Sequence, residues 1–155
     1  MRTVNADFPV TVTDDFGRTI MIPKAPKRIV CISPGVTEMV YALGLGEKVV
    51  GVDIYSDYPL EAIHKQRISN IYNPDPEEVA ALSPDLIIMY SFFGPRNPNV
   101  ENLERLKIPL IVTCPGTFDD IFRDIMLIGN ATGKSSEAEA LIEILRERVK
   151  HVENL

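Results

Sequence analysis

Four short apolar runs punctuate the chain, at residues 28–33, 49–52, 86–90 and 110–113. Runs of this length without polar alternation predict strands buried on both faces, as in parallel sheets. Between them the spacing becomes helical. Val36, Met39, Val40 and Leu43 share one helix face, and Gly44 and Gly46 end it. Asp75 as a cap, Pro76 at the first helical position and Glu77-Glu78 behind them predict a second helix to about Leu82. A third, over 99–107, turns Val100, Leu103 and Leu106 inward. Thr117 with Asp120 three residues later opens a fourth, which carries Ile121, Phe122, Ile125 and Ile128 and ends near 129–133. Ser136 with Glu139 reads as another capping box. It opens a last helix striped by Ala138, Leu141, Ile142, Leu145, Val149 and Val152.

Ahead of these units, residues 8–13 alternate apolar and polar, Asp14-Asp15-Phe16-Gly17 makes a turn, and 18–22 return. This predicts a β-hairpin. Residues 53–71 are less regular, with a short helix near 60–65. The fold class is therefore α/β: a parallel sheet of about four to five strands with helices on both faces, an N-terminal β-hairpin (8–22) before it and a long C-terminal helix after it. In such sheets ligands bind beyond the carboxyl ends of the strands. The segments expected on that edge are 33–37, 53–58, 90–96 and 113–116.

Composition removes several functions. A length of 155 residues suits one domain with a full core. A net charge of −6, with no extended basic cluster, argues against a nucleic-acid partner. No apolar run reaches the roughly 18–20 residues that cross a bilayer, and residues 1–10 lack the charged start and apolar core of a signal peptide. Cys31 and Cys114 have no Cys-x-x-Cys spacing and are expected as buried thiols. The first strand leads into Ser-Pro-Gly-Val-Thr-Glu, neither a dinucleotide fingerprint nor a nucleophile elbow. His64 and His151 lie away from strand ends, and the paired acids have turn or cap roles. No catalytic residue, metal site or cofactor is expected, and the chain does not read as an enzyme. The strand-end edge is instead aromatic: Tyr55, Tyr58, Tyr90, Phe92 and Phe93, with Tyr72 nearby and Arg96 as the cation of its loop. Exposed aromatics on a rim suit ligand binding.

Four segments carry a family resemblance: TVTDDFGRTIMIPKAPKRIVCISPGVTEMVYALGLGEKVVGVDIYSDYP, NPDPEEVAALSPDLIIMY, LKIPLIV and IGNATGKSSEAEALIEIL. In order and spacing the chain resembles the class III periplasmic binding proteins of ABC importers, which carry ferric siderophores, haem or cobalamin. The resemblance implies two α/β lobes joined by a long helix. Residues 1–134 match the N-terminal lobe, with a core at 28–134. Residues 135–155 match the start of the linking helix, and the C-terminal lobe is missing. It implies ligand contacts at Ser33, Pro34, Tyr55, Tyr72, Tyr90, Phe92, Phe93 and Arg96. It also implies docking to the permease through Glu77, with Glu78 as the adjacent alternative. The ligand it implies is an iron chelate, with haem or cobalamin as alternatives. The location it implies is the periplasm or the outer face of the cytoplasmic membrane. The chain departs from the cobalamin-type pattern in having no tryptophan. A flavodoxin-like interaction domain is the alternative from another class.

Overall fold

A computed structural model describes residues 7–155. The reading of residues 1–10 as lacking a signal falls largely outside them. Two strands, β1 (Val10–Thr13) and β2 (Thr19–Ile22), form the antiparallel hairpin. Five parallel strands follow: β3 (Ile29–Ile32), β4 (Val49–Asp53), β5 (Gln66–Ile68), β6 (Leu86–Tyr90) and β7 (Leu110–Thr113). Their order across the sheet is β5-β4-β3-β6-β7. The chain thus builds outward from β3 in one direction, then returns to build outward in the other. The reversal falls between β3 and β6, the switch point where such sheets open a crevice.

Five α-helices connect and cover the strands: α1 (Pro34–Ala42), α2 (Pro76–Ala80), α3 (Pro98–Glu104), α4 (Phe118–Thr132) and α5 (Ser135–Glu153). Strand residues alternate between two cores. Ile29, Cys31, Leu86, Ile88 and Ile111 pack with α1, α4 and the hairpin, whereas Val30, Ile32, Ile87, Met89 and Val112 pack with α2 and α3. Both faces are apolar, so the strands read as continuous runs. Each fully buried Ile, Leu or Val side chain contributes about 1.5–3 kcal/mol.

Three expectations need correction. Within the stretch expected to be irregular, β5 is a three-residue edge strand in which only Ile68 is buried. The last helix does not open on a Ser136 capping box. Its cap position is Lys134, with no side-chain cap, and Ser135 Oγ bonds Asn130 Oδ1 at 2.8 Å instead. The reason is the turn before it. Gly133, at φ 74°, ends α4, and Lys134 N–H donates to Gly129 O at 2.8 Å. The chain therefore enters α5 directly from a glycine turn. Gly129 also lets the helices close, because a Cβ there would sit 2.6 Å from Ala138 Cβ. Lastly, Cys31 is buried but Cys114 is only half-buried, and both are free. Burial pushes the Cys31 thiol up, and the charge of Asp53 adds to the effect.

The Asp-Asp-Phe-Gly-Arg turn does more than reverse the hairpin. Asp14 accepts from Phe16 N–H, Arg18 N–H and the Arg18 guanidinium, and also from Val112 N–H on β7. Asp15 N–H donates to Val112 O, and its carboxylate accepts from Cys114 N–H at 2.7 Å. Arg18 donates to Leu110 O at 3.2 Å and also binds Glu104 of α3. The outward backbone groups of β7 from Leu110 to Cys114 are thereby paired, and a sheet edge that invites foreign strands is closed.

Beside this clasp lies Asp124 of α4, fully buried, with neither carboxyl oxygen receiving a donor among the described residues. Burial pushes its carboxyl up to about 9, reinforced by a hydrogen bond to Asp15 and by the Asp15 charge. A protonated Asp124 donates to Asp15, which turns a contact between two acceptors into a hydrogen bond.

Candidate functional site

All five core strands run parallel, so their carboxyl ends share one edge. At the end of β3, Ser33 caps α1: its Oγ accepts from Val36 N–H at 3.1 Å, and Pro34 takes the first helical position. Beneath it, Thr37 and Ser56 hydroxyls share a 2.8 Å hydrogen bond, and Ser56 Oγ donates to Asp53. Asp53 also accepts from Tyr55 N–H, and Arg67 of β5 donates to the carbonyls of Asp53 and Ser56 at 2.9 and 2.7 Å. This buried network fixes the turn that carries Tyr55, whose ring is exposed.

The connection from β5 to α2 carries Tyr72 across the sheet to the end of β6. There Phe92 stands between two tyrosines. Its ring centroid is 4.9 Å from Tyr72 at 56° and 4.7 Å from Tyr90 at 71°. Tilted and edge-on contacts are those that ring quadrupoles favour. Tyr72 and Phe92 remain 52% and 42% exposed, so the cluster is a platform and not a core plug. Tyr55 and Phe93 are exposed but belong to neither ring pair. Arg96 ends a one-turn helix, Gly94–Arg96, where it is exposed and without an ion pair among the described residues. Of the eight candidate ligand residues, three therefore form one surface: Tyr72, Tyr90 and Phe92.

The two candidate docking acids differ. Asp75 caps α2 by accepting from Glu77 N–H at 2.9 Å. Glu77 is exposed, and its carboxylate has no hydrogen bond or ion pair among the described residues. Glu78 is half-buried and accepts from Ser69 N–H and Oγ, so it tethers the β5–α2 connection.

Several polar residues escaped sequence reasoning. Ser91, Asn97 and Asn99 are buried behind the platform. Asn97-Pro98 is a helix-opening signature, and Asn97 Oδ1 does accept from Asn99 N–H at 3.0 Å to cap α3. Arg67 and the Asp53–Ser56–Thr37 network left no comparable signal. A separate groove of about 820 Å³ lies on the flank, between the end of α1 and the 58–65 segment; its walls include Tyr41, Tyr58 and Glu61 but none of the eight candidates. No helix among the described residues is long and apolar enough to cross a membrane.

Comparison with known proteins places this geometry. The chain is 32% identical over 150 residues to an uncharacterized ABC transporter substrate-binding lipoprotein, YvrC, of Bacillus subtilis (strain 168), covering 94% of this chain and 47% of that protein. It is 32% identical over 126 residues to a vitamin B12-binding protein of Yersinia pestis (strain Pestoides F), covering 81% and 45%. Among solved structures, a periplasmic solute binding protein from Veillonella parvula DSM 2008 aligns with a TM-score of 0.79 at 28% identity, covering 94% of this chain and 47% of that one. A periplasmic heme binding protein from Pseudomonas aeruginosa aligns at 0.74 and 27%, covering 81% and 45%. The chain spans about half the length of the curated relatives it matches. The family model described as periplasmic binding protein matches residues 29–155, so the chain belongs to the periplasmic binding protein family.

Proposed function

We propose that the chain is the N-terminal lobe of an ABC-importer substrate-binding protein that captures a ferric siderophore outside the cytoplasmic membrane. The observation that carries this reading is the platform of Tyr72, Phe92 and Tyr90 beside the switch point of the sheet. Aromatic faces bury the apolar parts of a large chelate, and the exposed Arg96 offsets its negative charge. Ser33, Pro34, Tyr55 and Phe93 extend the contact along the same edge. Residues 135–155 form the start of a linking helix, and a facing lobe supplies the other wall of the cleft. Binding is then capture, closure, docking and release without covalent chemistry. Glu77 is the docking carboxylate for the permease, because it is exposed and unengaged among the described residues whereas Glu78 is tied to Ser69.

A second reading keeps the scaffold and changes the ligand to haem or cobalamin. It draws on the vitamin B12-binding and heme binding relatives. Tyrosine-fluorescence quenching of the natural gene product by a ferric hydroxamate siderophore, haemin and cyanocobalamin separates the two. Saturable micromolar or tighter quenching by the siderophore alone is expected. Preference for haemin or cyanocobalamin moves the assignment to the second reading, and no binding of any of the three overturns both. The 155-residue chain by itself should bind weakly, because one lobe offers half of the contacts.

A further inference from the structure

The two aromatic loops are joined by a polar clasp. Tyr72 rides on the connection after β5, and Phe92 on the one after β6. Asn99 Nδ2 donates to Tyr72 O at 2.6 Å, across 27 residues of sequence. A carbonyl only accepts, so chemistry fixes the orientation of this amide. Behind it the chain of bonds continues. Asn99 N–H donates to Asn97 Oδ1, Asn97 Nδ2 donates to Ser91 Oγ at 3.2 Å, and Ser91 Oγ donates to Gly94 O at 2.8 Å. All three side chains are buried: Ser91 is 1%, Asn97 3% and Asn99 6% exposed.

The remaining polar contacts around Tyr72 are local to its own loop. Asn70 Oδ1 accepts from Tyr72 N–H and Asn73 N–H, and Glu78 holds Ser69. These bonds shape the loop without aiming it at Phe92. Asn99 is what ties the Tyr72 backbone to the loop of its ring partner. We propose that Asn99 is a positioning residue for ligand recognition: it sets the Tyr72–Phe92 ring contact and thereby the shape of the aromatic platform. This rests on the reading of that platform as the ligand surface. Buried polar side chains are held in one geometry because leaving any of them unpaired is costly. A platform mounted on such a clasp is pre-organised, and the ligand does not have to order it.

Asn99→Asp is the discriminating change. Asn99 occupies the second position of α3, where a carboxylate is compatible with the helix dipole. The variant thus keeps shape and helix compatibility, but replaces the donor facing Tyr72 O with an acceptor. Three measurements are made on the natural gene product: the ring-to-ring nuclear Overhauser contact of Tyr72 and Phe92, the melting temperature, and affinity for whichever of the ferric hydroxamate, haemin and cyanocobalamin the parent binds. The expected result is loss of the ring contact and about a fivefold weaker affinity, with a melting temperature lowered by the buried acceptor that now faces a carbonyl. In a Tyr72→Ala background the same Asn99→Asp change should cost nothing further, since Asn99 acts through Tyr72. Retention of the ring contact, or an equal affinity loss in the Tyr72→Ala background, overturns the proposal. If Tyr72→Ala and Phe92→Ala each leave affinity intact, the platform reading fails and takes the recognition role of Asn99 with it. Should Asn99→Asp not fold, Asn99→Ser shortens the side chain away from Tyr72 O and is read the same way.

Discussion

At the outer edge of β7 the backbone groups from Leu110 to Cys114 meet Asp14, Asp15 and Arg18. At the carboxyl rim, by contrast, Arg96 and Glu77 stand exposed and unengaged among the described residues, and Tyr72, Phe92 and Phe93 face solvent. Both regions mix charged and aromatic residues, Asp14, Asp15, Phe16 and Arg18 in the hairpin turn and Phe92, Phe93 and Arg96 in the rim loop. They differ in whether the polar groups already have partners. A carboxylate that receives four donors, as Asp14 does, is committed to holding the fold. A carboxylate or guanidinium with none is available to another molecule.

Substitutions sharpen this contrast. The largest effect is expected from Asp14→Ala, which strands buried N–H groups and the Arg18 guanidinium. It should lower unfolding free energy by about 3 kcal/mol, read from the urea midpoint at constant m-value. A loss below about 1 kcal/mol would mean that the clasp is dispensable.

Next is Asp124→Asn. Because the Asp124 carboxyl is raised in the folded protein, its stabilising contribution is complete below the ordinary carboxylate range and is lost as pH climbs toward about 9. An asparagine donates to Asp15 at every pH. The variant should therefore melt several degrees higher than the parent at pH 8, with a gap that shrinks toward pH 4. A gap independent of pH would remove the shared proton.

Glu78→Ala unties Ser69 and should cost about 1 kcal/mol. Its neighbour Glu77→Ala should change stability by less than about 0.5 kcal/mol. In the natural gene product Glu77→Ala should lower uptake while ligand affinity stays intact, measured by transport and titration side by side. Equal loss of affinity would remove the docking role proposed for Glu77.

The same contrast explains what the sequence made legible. The sheet was readable because Ile-Val-Cys-Ile, Leu-Ile-Ile-Met-Tyr and Leu-Ile-Val-Thr are apolar on both faces, which few other settings require. β5 was not, because an edge strand of Gln-Arg-Ile buries one side chain and shows no period. Ser136 matched a capping pattern, but Gly133 had already turned the chain into the helix. Asp124 does carry a signal in the sequence. It lies three residues from Ile121 and four from Ile128, on the buried stripe of α4, where an acid is out of place. At the rim, aromatic positions at strand ends were readable from order alone. That Tyr72 meets Phe92 was not, since it depends on the crossover from β5 and on a single bond from Asn99. Buried asparagines in a polar loop resemble solvated ones until the loop is folded.

The clasp on β7 also constrains the order of events on a growing chain. Asp14 and Asp15 find Val112 and Cys114 across 98 and 99 residues of sequence. Contacts so distant carry a large loop-closure cost and form after local ones. While the polypeptide emerges, the hairpin turn therefore waits for β7. Until then β7 offers an open edge to any passing neighbour, and chaperone demand should peak in that interval. An N-terminal truncation past Arg18 would make the interval permanent, and its signature would be insolubility more than a lowered melting temperature.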